Sequence, residues 1–232
     1  MSSRLIVDSD EGLQEFRETD SPKKHPAFRL TAKIISYIFH PVFVPVYLVL
    51  FLLYIHPAVF AGFTGLEKKL VLIQAFLMYG FFPIVSVLLL KALKFIDSVY
   101  LITQRDRIIP YIACGIWYFW IWYVWRSLPD PAYPREAVIF AMAIFLASSI
   151  GLMANIYMKI SMHAIAMGVM LSFMMFLALT QAVSFSVYIS VAFFIAGLVC
   201  TSRFIVSDHS QKEIYGGLLA GLAALLIANT FV

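Results

Sequence analysis

Long apolar runs, each cut off by a short polar interruption, recur from Ile34 to Val232. An α-helix rises about 1.5 Å per residue, so roughly twenty apolar residues cross the ~30 Å hydrocarbon layer of a membrane. The pattern predicts an all-α polytopic transmembrane helix bundle of six to seven spans. The candidates run over about 34–55, 70–93, 108–125, 137–157, 162–180, 185–201 and 214–232. His40, Pro41 and Pro45 punctuate the first, where proline frees backbone carbonyls and should kink the helix. Trp and Tyr crowd the far end of the third, as an interfacial aromatic belt would. Three prolines mark the loop 126–136, and Gln181 and Ser184 mark a tight turn between the fifth and sixth spans.

Before Ile34 the periodicity is lost. Residues 1–33 hold six Asp/Glu and six Lys/Arg and read as a solvated tail with an interfacial helical turn at 13–16. The chain therefore divides into a polar tail, 1–33, and a membrane domain, 34–232. These charged first residues do not resemble a cleavable signal peptide.

Composition agrees with the pattern. The 232 residues are 62% hydrophobic and only 13% charged, about half the share in ordinary soluble domains. The net charge of +4 is no sign of nucleic-acid binding, because membrane topology itself places Lys and Arg in tails and loops. Cys114 and Cys200 lie inside apolar spans without a CxxC pattern, so neither a disulfide framework nor a metal site is expected.

Seven crossings would bring the segments 95–107, 158–161 and 203–213 to the side of the N-terminus. That side would carry thirteen of the seventeen Lys and Arg, leaving Lys68, Lys69, Arg126 and Arg135 opposite. The positive-inside tendency makes it cytoplasmic. If the first span is instead a re-entrant hairpin, the parity of everything after it flips.

Those same segments carry the polar chemistry. The third reads SRFIVSDHSQKE, with His209 and Glu213 four apart, as on one helix face, and Arg203 six residues before the histidine. Arginine offers a planar fork of donors to phosphate oxygens, and a histidine backed by a carboxylate is a usable nucleophile or base. The second, KISMHA, holds Lys159, Ser161 and His163 at the mouth of the fifth span; the first holds Lys94, Asp97, Arg105, Arg107 and Pro110. A helix N-terminus at His163 would itself attract phosphate.

In this order and setting the segments resemble the type 2 phosphatidic acid phosphatase (PAP2) superfamily of membrane lipid phosphatases, whose motifs are K-x6-R-P, P-S-G-H and S-R-x5-H-x3-D. Ser202, Arg203 and His209 match the third motif, with Glu213 for the aspartate. Ser161 and His163 match the second, with Ile160 and Met162 for its proline and glycine. In the first, no lysine stands seven positions before Arg105 or Arg107, and Pro110 follows Arg107 by three. The likeness covers 94–232.

The resemblance implies a PAP2-like core in the inner membrane of a bacterium and a metal-independent phosphatase without cofactor. Its substrate would be a phospholipid or polyprenyl phosphate ester or pyrophosphate. His209 would attack phosphorus and become phosphohistidine, Glu213 would support its imidazole, and His163 would protonate the leaving alkoxide. Arg203, one of Arg105 and Arg107, and the Ser161 hydroxyl would hold the phosphate oxygens, with Lys159 and Lys94 as substitutes for the first-motif lysine. The rival expectation is a transport or binding protein that holds anionic lipid headgroups on the same scaffold. Plainer roles compete as well. His163 also suits helix packing, Arg105 and Arg107 also suit topology, and His40 and His56, without partners in the sequence, are assigned to packing. Small residues at four-residue spacing, Ala164–Gly168–Ser172 and Gly217–Gly221, predict close contact of the fifth and seventh spans, which would bring His163 and His209 to one pocket.

Overall fold

The computed structural model describes residues 3–8, 12–17, 26–56, 58–129, 132–182, 184–206 and 209–232. Lys23 and Lys24 of the tail's basic end lie outside these residues. The tail forms an antiparallel pair, β1 (Ser3–Asp8) and β2 (Gly12–Arg17), with Ser3 opposite Arg17. The helical turn expected at 13–16 is therefore a strand. Four residues cannot repay helix nucleation alone, whereas the Leu5-Ile6-Val7 run favours an extended partner.

The expected first span is two helices. α1 (Pro26–Ile38) begins with proline, whose missing N–H is no loss in a first turn. At 13 residues, about 20 Å, it is too short to cross the hydrocarbon layer. It packs along α8 (Ser186–Val206), burying Ala32 and Ser36 and leaving most of its other residues exposed. The chain breaks through His40-Pro41 and resumes as α2 (Val44–Leu50), which is continued by a π turn (Phe51–Ile55). Pro45 sits in the first turn of α2, where helices accept proline, so the two prolines end one helix and start another rather than kink one.

Among the described residues six helices are long and apolar enough to cross a membrane, and the chain is a multi-pass integral membrane protein of helical-bundle architecture. The first, Gly65–Ala92, consists of α3 (Gly65–Ala75), a π turn (Phe76–Phe81) and α4 (Phe82–Ala92). Pro83 cannot donate to the carbonyl four residues back, and the widened turn ends just before it. The others are α5 (Gln104–Ser127), α6 (Arg135–Tyr157), α7 (Met162–Thr180), α8 and α9 (Gln211–Phe231). The segment from His40 to His56, which includes α2 and its π turn, nevertheless reaches both ends of the bundle. His40, before α2, has its ring 5.4 Å from that of His163 at the start of α7, and His56, after the π turn, lies 4.6 Å from Phe185, just before α8.

α7 and α9 meet backbone to backbone at Gly168 and Gly221, with the Ala164 methyl against Gly217. A Cβ on Gly168 would strike the Leu218 carbonyl, and one on Gly221 would strike the Ile165 carbonyl. The expected contact of the fifth and seventh spans is thus backbone against backbone, the arrangement that small residues permit in membranes. At the far end, Gln74 accepts from the Trp125 indole (3.1 Å) and the Tyr133 hydroxyl (2.8 Å). Trp125 is buried by that pairing, so of the expected belt it is Trp120 and Tyr123 that face outward.

Candidate active site

The polar segments meet at one end of the bundle because helix caps place them there. The third begins at the last turn of α8, which carries Arg203 inside the helix rather than in a loop. Ser207 and Asp208 lie outside the described residues. α9 then opens with a capping box: the Ser210 hydroxyl accepts from Glu213 N at 3.3 Å, and Glu213 Oε2 accepts from Ser210 N at 3.0 Å. The same Oε2 lies 2.9 Å from His209 Nδ1, with both side chains buried. A carboxylate only accepts, so Nδ1 carries the proton and Nε2 keeps the lone pair. The four-residue spacing works through the cap, because His209 precedes the helix.

α7 starts at Ser161, whose oxygen accepts from Ala164 N at 3.4 Å and whose backbone N–H donates to the Glu213 carbonyl at 3.2 Å. The second motif is thereby tied to the first turn of α9. His163 Nε2 lies 3.1 Å from the Ser36 carbonyl, which fixes its proton on Nε2 and leaves Nδ1 as the basic atom.

Arg105 and Arg107, expected in a loop, stand in the first turn of α5, which Thr103 caps by accepting from Asp106 N at 3.0 Å. Arg107 turns inward and is buried. Its Nε donates to the Leu101 carbonyl (2.9 Å) and its Nη1 to the Ile160 carbonyl (2.8 Å), joining the first segment to the second. Asn155 and Gln104 add a reciprocal clasp, each side-chain amide donating to the other's backbone carbonyl at 2.8 Å.

A cavity of about 950 Å³ opens among these groups. His209, His163, Arg203, Arg107 and Lys159 line it, together with Lys33, Ser36 and His40. Among the described residues its wall has four cationic side chains and no carboxylate. Beyond this charged end the wall becomes apolar, with Leu48, Ile84, Val87, Leu88, Cys114, Tyr118, Ile144 and Val169. From Arg107 to Tyr118 along α5 the reach is about 16 Å. Ile84 and Leu88 of α4, on this wall, are exposed.

Four expected site residues stand apart from the cavity wall, one of them Glu213, which touches His209 from behind. Arg105 is exposed on the other side of the α5 turn. Lys94, also exposed, takes the left-handed conformation (φ 62°) that ends α4, while Phe95 N reaches back to the Leu90 carbonyl at 2.9 Å. Ser161 is fully buried and spends its oxygen on the α7 cap. In turn the structure adds Ser36 and His40, assigned to no site from sequence. A histidine beside a proline inside an apolar run was the only signal.

Burial pulls His209 down to about 4; the hydrogen bond from Glu213 opposes this and the nearby Arg107 and Arg203 charges reinforce it. At neutral pH the ring is uncharged, with Nε2 available as a nucleophile or base. Electrostatically the charged end is an anion site holding a neutral, carboxylate-backed imidazole. The chain matches no family model, no curated protein and no solved structure, so its chemistry is read from this geometry.

Proposed function

We propose that the protein is a metal-independent phosphatase of the inner membrane of a bacterium, hydrolysing a lipid phosphate ester or pyrophosphate through a phosphohistidine intermediate. The observation that carries this reading is the two-ended lining of one cavity. At one end a neutral His209 backed by Glu213 shares the space with Arg107, Arg203, Lys159 and Lys33, and at the other the lining is apolar. A phosphate headgroup with an apolar chain satisfies both ends at once.

In this reading Arg107, Arg203 and Lys159 hold the phosphoryl oxygens as charge spreads over them, which is most of what phosphoryl transfer asks of a protein. His209 Nε2 forms the bond to phosphorus as the P–O bond to the lipid breaks, and the departing oxygen takes a proton from His163. Because Nε2–H of His163 is held by the Ser36 carbonyl, the proton given up is the one on Nδ1 of the imidazolium. Water then cleaves the phosphorus–nitrogen bond, His163 Nδ1 accepting its proton, and inorganic phosphate leaves.

The test is purified full-length protein in lipid nanodiscs with phosphatidate, phosphatidylglycerophosphate and polyprenyl pyrophosphate. Phosphate should appear from at least one of them, unaffected by chelator. A base quench should trap an acid-labile phosphoryl group that is absent from His209→Ala. Saturable headgroup binding with no phosphate release from any lipid would sink the enzymatic reading in favour of a carrier of anionic lipids.

A further inference from the structure

We propose that His40, supplied by the break between α1 and α2, is a further phosphate-contacting residue of this site. It would donate its Nε2–H to a nonbridging oxygen of the bound phosphate. The inference rests on the phosphate-binding reading above and adds a residue from a segment outside all three motifs.

Three observations carry it. First, position: the His40 ring lines the same cavity as His163, Arg203 and His209, and meets the His163 ring edge to face, with centroids 5.4 Å apart and planes at 80°. It is therefore on the His163 side of the site, with Arg203 of α8 and His209 of the α8–α9 connection lining the same space.

Second, proton placement. The Val42 backbone N–H donates to His40 Nδ1 at 3.4 Å, within a turn whose Phe43 and Val44 amides bond the His40 carbonyl at 2.8 and 3.2 Å. A nitrogen that accepts holds a lone pair, so the neutral ring has its proton on Nε2. Nε2 is thus a donor, and no hydrogen-bond acceptor for it occurs among the described residues.

Third, complementarity. His40 is exposed, and the described cavity wall around it offers cations and no carboxylate, so an anionic oxygen on a ligand complements both its donor and the neighbouring charges. The neighbouring turn of α1 is committed to the site in the same way. The Ser36 carbonyl holds His163 Nε2, and the Ser36 hydroxyl accepts from Arg203 Nη1 at 3.5 Å. Residues 36–40 thus close the site from the leaving-group side, as a wall that the three motifs do not provide.

Orthovanadate, a mimic of the pentacoordinate phosphorus, is the probe, with binding measured by calorimetry on the full chain in detergent alongside kcat/KM and melting temperature. His40→Ala and His40→Phe should each weaken vanadate about tenfold, the scale of one hydrogen bond to a charged group. His40→Gln, whose amide nitrogen can occupy the place of Nε2, should stay within about threefold of wild type. Melting temperatures should agree across the set. The phenylalanine variant is decisive because it keeps a ring against His163 and lacks the donor, while its loss of the Nδ1 acceptor for Val42 N–H is read separately in the melting temperature. Wild-type binding by His40→Phe or His40→Ala would overturn the proposal, as would a glutamine variant as weak as phenylalanine. If vanadate binds and lipid phosphate is hydrolysed whatever stands at position 40, the phosphatase reading survives and His40's role falls. A wild-type protein that neither binds vanadate nor hydrolyses any lipid phosphate removes both.

Discussion

Two buried histidines sit at opposite ends of the bundle, and their difference is instructive. His209 is 8% exposed and His56 is 5% exposed, and each lies just outside a helix. His209 meets a carboxylate at 2.9 Å and shares its cavity with three buried or half-buried cations. His56 meets Phe51, Phe185 and Tyr188, at ring separations of 6.0, 4.6 and 6.2 Å, and its Nδ1 has no hydrogen-bond partner among the described residues. Equal burial thus gives a poised base in one place and an aromatic packing piece in the other. What separates them is the residue four positions on: Glu213 follows His209, while Phe60 follows His56. Partners decide the chemistry of a buried imidazole.

The contrast breaks most visibly on substitution. His209→Ala should lower phosphate release by at least about 10³-fold, since loss of a nucleophile costs this much or more. His56→Phe, which keeps a ring in an aromatic cage, should change turnover by less than about twofold. Comparable losses in the two variants would mean that the chemistry lies elsewhere.

Glu213→Gln sharpens the comparison by removing charge while keeping the cap, because glutamine also serves at the third position of a capping box. Release should fall by about a hundredfold with the melting temperature nearly unchanged, since an oriented, charge-supported imidazole is lost but the helix start is not. A fall in stability as large as the fall in rate would reassign Glu213 to structure alone.

A smaller effect is expected from the small-residue seam that holds the site's two halves together. Gly221→Ala should cost about 1–3 kcal/mol, seen as a drop of several degrees in melting temperature, because the new Cβ meets backbone that cannot yield. Gly197→Ala on α8 meets nothing within 4 Å and should be neutral or slightly stabilising. Equal behaviour of the two alanines would refute the backbone contact.

The subtlest test is pH. With His209 lowered to about 4, kcat/KM should hold between pH 7 and 5 with respect to this group and fall as pH drops through about 4. The Glu213 hydrogen bond raises the value, so the acid limb of Glu213→Gln should move lower still. Because the folded value lies below the ordinary histidine value of 6.5, stability tied to the neutral ring is full above pH 6.5 and declines toward pH 4. An acid limb centred near 6.5 would show a solvated imidazole.

Much of the fold was legible because apolar run length reports directly on bilayer thickness: the last four spans match the helices to within a few residues. The first run misled because 34–55 is apolar enough to cross but holds two prolines, and local backbone chemistry overrode hydropathy. For the site, spacing found His209, Glu213 and Arg203 because a helix cap converts sequence distance into contact. It could not separate Arg107 from Arg105, which depends on which way a helix turn faces. Nor could it find Ser36 and His40, which reach His163 across more than a hundred residues of chain through a contact that tertiary packing alone creates.

Glu213 Oε2 is shared between the amide that starts α9 and the ring that ends the preceding loop. Fraying of one helical turn therefore also unmakes the dyad. The opening rate of α9's first turn, readable as amide exchange at Glu213 and Ile214, sets how often the imidazole is released from its orientation. Ligands that bind the oriented ring should slow that exchange in proportion to their affinity. In this protein the start of a helix and the orientation of an imidazole are one hydrogen-bonded unit.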